Sequence, residues 1–188
     1  MIIVGISLGR TCLPATWGTH NNIRKRKEQG YNTCPFDLMG SHYIGIVKCI
    51  KEDFMNFTNP EYLTYNGHRI LNTYYNFSFN HETPGHADLY VTEKWSEGTN
   101  HFINNNFANL IKRYDERIKN FRNYLSNRKN FIRFIIQFNN VTETHDDCKE
   151  LREALKLKYP ELNYSITIID GINSSEGVLT TKIVKSIT

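Results

Sequence analysis

One cysteine in this sequence stands where a thiol becomes a nucleophile. Cys12 follows an apolar run, Ile2-Ile3-Val4-Gly5-Ile6, and then Ser7-Leu8-Gly9-Arg10-Thr11. A short β-branched run predicts a buried strand. Gly9 permits a tight turn after it, because glycine takes positive φ without a steric cost. Thr11 can cap a following helix, with Pro14 in its first turn, where a missing N–H does no harm. Cys12 therefore belongs at a helix N-terminus, at the carboxyl end of the first strand. Unpaired N–H groups and the helix dipole favour negative charge there, and thiols in such positions ionise more readily than a free one. Backbone N–H groups from Gly9, Arg10, Thr11 and Cys12 would supply an oxyanion hole for acyl transfer. The same loop could instead hold a phosphate. It carries neither the G-x-G-x-x-G nor the P-loop spacing, which argues against dinucleotide and nucleoside triphosphate binding.

A thiol nucleophile needs a base within hydrogen-bond reach and a third group to orient that base. His81 and His86 are the nearby choices, flanking Thr83-Pro84-Gly85. Glu82, Asp88, Asn139 and Asp170 are candidates for the orienting group, and the sequence does not choose among them. Asp37, after Cys34-Pro35-Phe36, reads as a structural carboxylate capping the next segment. Arg113 and Arg117 are four residues apart and share a helix face. A solvent-exposed basic stripe is the simpler reading of them, and an anion contact the sharper one. His81, His86 and Asp88 match no strong metal-ligand spacing, so no metal is assigned. Cys34, Cys49 and Cys148 read as small buried hydrophobes.

The elements that must position these groups follow from periodicity. A helix is predicted from Cys12 through Trp17 to about Lys27, stopping at Gly30, with Gly18 as a weak point. Helical spacing returns at Tyr43, Ile46, Val47 and Ile50. From Tyr62 to Phe79 aromatic residues predict short strands, with Asn66-Gly67 as a hairpin turn. Tyr75, Phe77 and Phe79 alternate with polar residues and deliver His81 just past the strand end. Phe107, Leu110, Ile111, Tyr114, Ile118, Phe121 and Leu125 recur every three or four residues, a long amphipathic helix. Phe131 to Phe138 predicts a core strand, Asp147 to Tyr159 a helix, and Tyr164 to Ile169 a strand ending at Asp170-Gly171. Such a strand–helix–strand unit makes a right-handed parallel crossover. The expected fold is a single α/β domain over residues 1–188, with a small, mainly parallel sheet, helices on both faces and an inserted aromatic β-rich segment (62–95). Ligands in such sheets lie outside the carboxyl ends of the strands.

Composition bounds the rest. With 188 residues, 11 Phe and 11 Tyr, the chain can bury a proper core. Its net charge of +4 is mild and interrupted by acidic and aromatic residues, so nucleic-acid binding is not expected. The four cysteines lack any C-x-x-C pairing, which argues against a zinc ribbon or a disulfide framework. The opening apolar run is too short for a signal peptide or a membrane span. A cytoplasmic setting is expected.

The residues then reach a known family. The chain resembles a bacterial and large-DNA-virus family of papain-like cysteine peptidases, through Ser7-Leu8-Gly9-Arg10-Thr11-Cys12 with Pro14-Ala15, through Pro35-Phe36-Asp37, and through Phe79-Asn80-His81-Glu82. Arg113-Tyr114, Arg117-Ile118 and Phe121, followed by the strand from Phe131, keep the family order. The resemblance implies a catalytic Cys12–His81 pair acting on an amide, ester or thioester of a small-molecule or peptide acyl substrate. Three departures bear on substrate class: Leu38 where the family commonly has Trp, Glu82 where it has Asp, and Gln137 where it has Arg. No cofactor is required for hydrolysis. A related group of capsule-biosynthesis proteins looks more like acyltransferases using coenzyme A, which makes coenzyme A the cofactor of that alternative. A non-catalytic module binding an anionic ligand or a protein is the alternative from another class. The papain label fits the implied chemistry rather than the expected fold, because here a strand precedes the cysteine.

Overall fold

The computed structural model describes residues 1–87, 95, 97–138, 148–172 and 180–187. Its main sheet has four strands, in the order β1 (Ile2–Ser7), β5 (Asn130–Phe138), β6 (Asn163–Ile172) and β7 (Thr180–Ile187). β1 runs parallel to β5, and β5 runs parallel to β6. β7 closes the far edge antiparallel to β6. A second sheet of three short antiparallel strands, β2 (Leu63–Tyr65), β3 (Ile70–Asn72) and β4 (Phe77–Ser78), forms the aromatic insertion. Gly67, at φ 88°, makes the β2–β3 turn where Asn66-Gly67 predicts it.

The α/β reading holds, with helices on both faces of the main sheet. On one face α1 (Leu13–His20) places Leu13 and Trp17 on Ile135 and Ile169. On the other, Ile132, Phe134 and Ile136 of β5 join a large core with α2 (Tyr43–Lys51), α4 (Asn104–Ser126) and α5 (Lys149–Lys158), while the one-turn α3 (Pro84–Ala87) follows the inserted sheet. Alternate β5 residues thus serve two layers, because side chains alternate across a strand. The centre of the larger core is a set of touching rings. Phe36 lies against Phe54, Phe57, Phe77 and Phe121, and Tyr114 against Phe57 and Phe79. Each buried ring contributes roughly 1.5 to 3 kcal/mol by leaving water. These contacts bind the inserted sheet to the long helix and fix the end of β4, where His81 follows.

Four local expectations change. The helix after Cys12 stops at His20 instead of reaching Lys27, and a separate 3-10 turn, Lys27–Gln29, ends on Gly30 at φ 86°. A Cβ on Gly18 would meet Ile135 Cδ1 at 2.4 Å, so the glycine permits the close approach of α1 to β5. The first strand is buried only in its second half; Ile2 and Ile3 are 52% and 45% exposed because β1 is an edge strand. The first turn of α4 is not right-handed, since Asn105, Asn106 and Phe107 have positive φ. β6 runs two residues past Asp170, and β7, which the periodicity reading passes over, pairs along it.

Candidate functional site

Cys12 is the exposed cysteine; Cys34, Cys49 and Cys148 are buried. Burial pushes the Cys34 and Cys49 thiols well up, which disfavours the thiolate at both positions. Cys12 is the N-cap residue of α1, with φ −73° and ψ −9°, and Pro14 lies in the first turn. It sits just beyond the carboxyl end of β1, as the strand–turn–helix pattern predicts.

The loop before it is tightly bonded. The Gly9 N–H donates to Ser7 Oγ at 3.2 Å and the Arg10 N–H donates to Ser41 Oγ at 2.9 Å. The Ser41 N–H donates back to the Arg10 carbonyl at 3.2 Å. The Leu13 N–H donates to Thr11 Oγ1 at 3.1 Å, and the Thr11 hydroxyl donates to Gln137 Oε1 at 2.8 Å. Of the four N–H groups that could face a ligand, those of Gly9 and Arg10 are already committed. Those of Thr11 and Cys12 have no intramolecular partner among the described residues.

His81 lies in the 3-10 turn Asn80–Glu82 that follows β4. Its ring is 5.2 Å from that of His86, tilted by 45°. Burial holds its pKa below the ordinary histidine value; Glu82 opposes this, while His86, Arg117 and Arg113 add to it. A neutral imidazole at pH 7 is the form a general base needs. A short ladder connects this turn with the Cys12 loop. Ser41 is bonded to Arg10, and Gly40 makes a two-bond antiparallel bridge to Ser78, at 2.7 and 2.8 Å. The Ser78 hydroxyl then donates to Asn80 Oδ1. No hydrogen bond joins Cys12 to His81 among the described residues.

Glu82 and the two arginines form one buried cluster. Glu82 is fully buried; its Oε1 is 3.0 Å from Arg117 Nη1 and 3.3 Å from Arg113 Nε. Its Oε2 accepts the Tyr114 hydroxyl at 3.0 Å. The expected solvated stripe of Arg113 and Arg117 is therefore corrected: Arg117 is 4% exposed, and both guanidinium groups turn to a buried carboxylate. Burial works against the Arg117 charge, yet Tyr114, Glu82 and Asp37 together hold its pKa above the usual value. Asp37 is also fully buried, and its Oδ2 accepts from Cys34 N–H at 2.8 Å, Tyr31 hydroxyl at 2.9 Å and Arg24 Nη2 at 3.1 Å. It is a structural carboxylate, but it secures the turn before it rather than the segment after. Arg24, which falls within the helix predicted to reach Lys27, is its largely buried counter-ion.

Asp88 and Asn139 lie outside the described residues. Asp170 is placed only by its backbone, paired with Phe138 and Lys182 in the sheet. Among the described residues there is no group of three or more His, Cys, Asp or Glu arranged to hold a metal, and no helix is long and apolar enough to cross a membrane. A groove of about 920 Å³ runs beside the Glu82 cluster, lined by Thr33, Trp95, Phe102, Lys112, Arg113 and Arg117 among others.

Sequence reasoning missed Ser41 and His42. Ser41 secures the Arg10 loop, and the neighbouring His42 has its pKa lowered by burial and by Arg10. Neither has a local signal, since the contact spans 31 residues.

Strand, glycine turn and exposed thiol at a helix start, on a mainly parallel sheet, define an α/β protein with a candidate nucleophile beyond the carboxyl end of its first strand. The chain belongs to a family described as "Putative papain-like cysteine peptidase", whose model matches residues 4–173. No curated protein and no solved structure matches the chain.

Proposed function

We propose that this protein is a thiol-dependent acyl-transfer enzyme of the cysteine-peptidase type. The observation that carries the reading is the placement of Cys12. It is exposed, it begins α1 at the carboxyl end of β1, and it has uncommitted Thr11 and Cys12 N–H groups beside it. Membership of the cysteine-peptidase family supports it. In the proposed reaction His81 takes the proton from the Cys12 thiol, and the sulfur attacks the carbonyl carbon of an amide, ester or thioester. The Thr11 and Cys12 N–H groups hold the oxyanion. Collapse of the tetrahedral intermediate expels the leaving group with the proton from His81 and leaves an acyl-Cys12 thioester. Water, activated by His81, then releases the acid and regenerates the thiol. Another nucleophile in place of water, such as the thiol of coenzyme A, makes the same site a transferase.

Iodoacetamide alkylation of Cys12 against pH, read by peptide mass spectrometry in the wild type and in His81→Ala, tests the pair. Fast reaction well below the free-thiol value of about 8.5, slowed in His81→Ala, supports it. Ordinary thiol behaviour that ignores His81 would overturn it and favour a binding module.

A further inference from the structure

Cys12 is the middle residue of a turn closed by a side chain. Thr11 Oγ1 accepts the Leu13 N–H at 3.1 Å, so the hydroxyl brackets Cys12 between its two neighbours. The proton of that hydroxyl goes to Gln137 Oε1 at 2.8 Å. Gln137 is the penultimate residue of β5, 8% exposed, and stands opposite Ile169 in the parallel ladder. A nearly buried carboxamide is costly to desolvate unless it is bonded, and its oxygen is used on Thr11, an exposed residue that water could otherwise satisfy. One residue earlier in the same loop, Arg10 is clamped to Ser41 by two hydrogen bonds. The backbone leading into Cys12 is thus held by one anchor in an inner strand and one ahead of α2.

From this geometry we infer that Gln137 is a positioning residue for Cys12: through Thr11 it holds the thiol and the Thr11 and Cys12 N–H groups in the arrangement for attack on a carbonyl. The inference rests on the reading of Cys12 as nucleophile. Gln137 is 126 residues from Thr11 in sequence, so the bond ties the loop after β1 to the carboxyl end of β5 in addition to the local turn at the helix start.

Gln137→Leu removes the acceptor and Gln137→Glu keeps it. Thr11→Val removes the hydroxyl and Thr11→Ser restores it. Two quantities are read in each variant: the pH profile of Cys12 alkylation and the hydrogen exchange of the Leu13 amide. Gln137→Leu and Thr11→Val should each slow Cys12 alkylation at neutral pH by up to about tenfold, the worth of one such hydrogen bond, and move the profile to higher pH. The double variant should lose no more than either single one, and Thr11→Ser should recover the wild-type profile. An activated wild-type thiol whose profile is unchanged in Gln137→Leu and Thr11→Val, with only the melting temperature lowered, overturns the inference and leaves the Cys12 mechanism standing. A wild-type Cys12 that reacts as a free thiol overturns both, and faster Leu13 exchange in Gln137→Leu then marks the contact as purely structural. Should Gln137→Leu fail to fold, Thr11→Val at its exposed site gives the same decision.

Discussion

Glu82 Oε1 lies 3.0 Å from Arg117 Nη1 at a fully buried position directly after His81. The pair is held by charge, because the two atoms approach off the direction of a hydrogen bond. The turn carrying the candidate base is therefore tied into the core through α4. Removing one partner of a buried pair strands the other charge, which costs roughly 3 to 5 kcal/mol. Arg117→Met leaves Glu82 with Arg113 and the Tyr114 hydroxyl, so it is expected to cost less than that in urea unfolding, but more than Tyr114→Phe, which deletes one hydrogen bond to Glu82 and costs about 1 kcal/mol. A cost for Arg117→Met as small as that of Tyr114→Phe would show that the ion pair does not hold the turn.

The histidines set a direction for stability against pH. Burial lowers the native pKa of both His81 and His42 below the ordinary value. As pH falls through the unfolded value of about 6.5, the unfolded chain takes protons that the native state resists, and stability falls. Stability should thus rise from acid toward pH 7 across this window. Urea midpoints between about pH 5 and 7.5 should rise less steeply in His42→Gln and His81→Gln than in the wild type. Identical slopes in all three proteins would refute the assignment.

Gly9 and Gly30 have nearly the same backbone, φ 85° and φ 86°, but different surroundings. A Cβ on Gly9 would lie 2.1 Å from Ser41 Oγ, whereas one on Gly30 meets nothing within 4 Å. Both alanine substitutions incur left-handed strain of about 1 to 2 kcal/mol. Only Gly9→Ala should also displace Ser41, break its bond to the Arg10 N–H and slow alkylation of Cys12. Equal melting temperatures and equal alkylation rates in the two variants would count against the Ser41 clamp.

Much of the frame was legible because it depends on local rules. Apolar runs at Ile2–Ile6 and Phe131–Phe138, the three-to-four spacing from Phe107 to Leu125 and the Asn66-Gly67 turn each report a period or a φ requirement. Cys12 at the start of α1 follows from the same rules. The burial of Arg117 could not be read that way: its helix face looks basic until Glu82, from a different element, is folded against it. The same is true of Arg24 with Asp37 and of Gln137 with Thr11, where the partner is fixed by the sheet order and not by spacing. The helix predicted to Lys27 failed for a related reason. Arg24 leaves the helical path, its guanidinium resting 4.1 Å from the Tyr31 ring centre and on Asp37.

That second buried pair offers the cleanest separation of charge from packing. Asp37 Oδ2 gathers Arg24, the Tyr31 hydroxyl and the Cys34 N–H, all within 3.1 Å. Asp37→Leu alone strands Arg24, whose side chain is 12% exposed, and should cost roughly 3 to 5 kcal/mol. Arg24→Met alone strands the carboxylate, which keeps its bonds from Tyr31 and Cys34, so its cost should be smaller. The double variant replaces both charges with apolar groups and should be less destabilised than the sum of the two, by 1 kcal/mol or more, about the coupling expected of contacting residues. A double-mutant cycle by urea unfolding measures this directly. Strict additivity would mean that Arg24 and Asp37 stabilise the turn independently, and that the Tyr31 and Cys34 donors alone hold the carboxylate in the core.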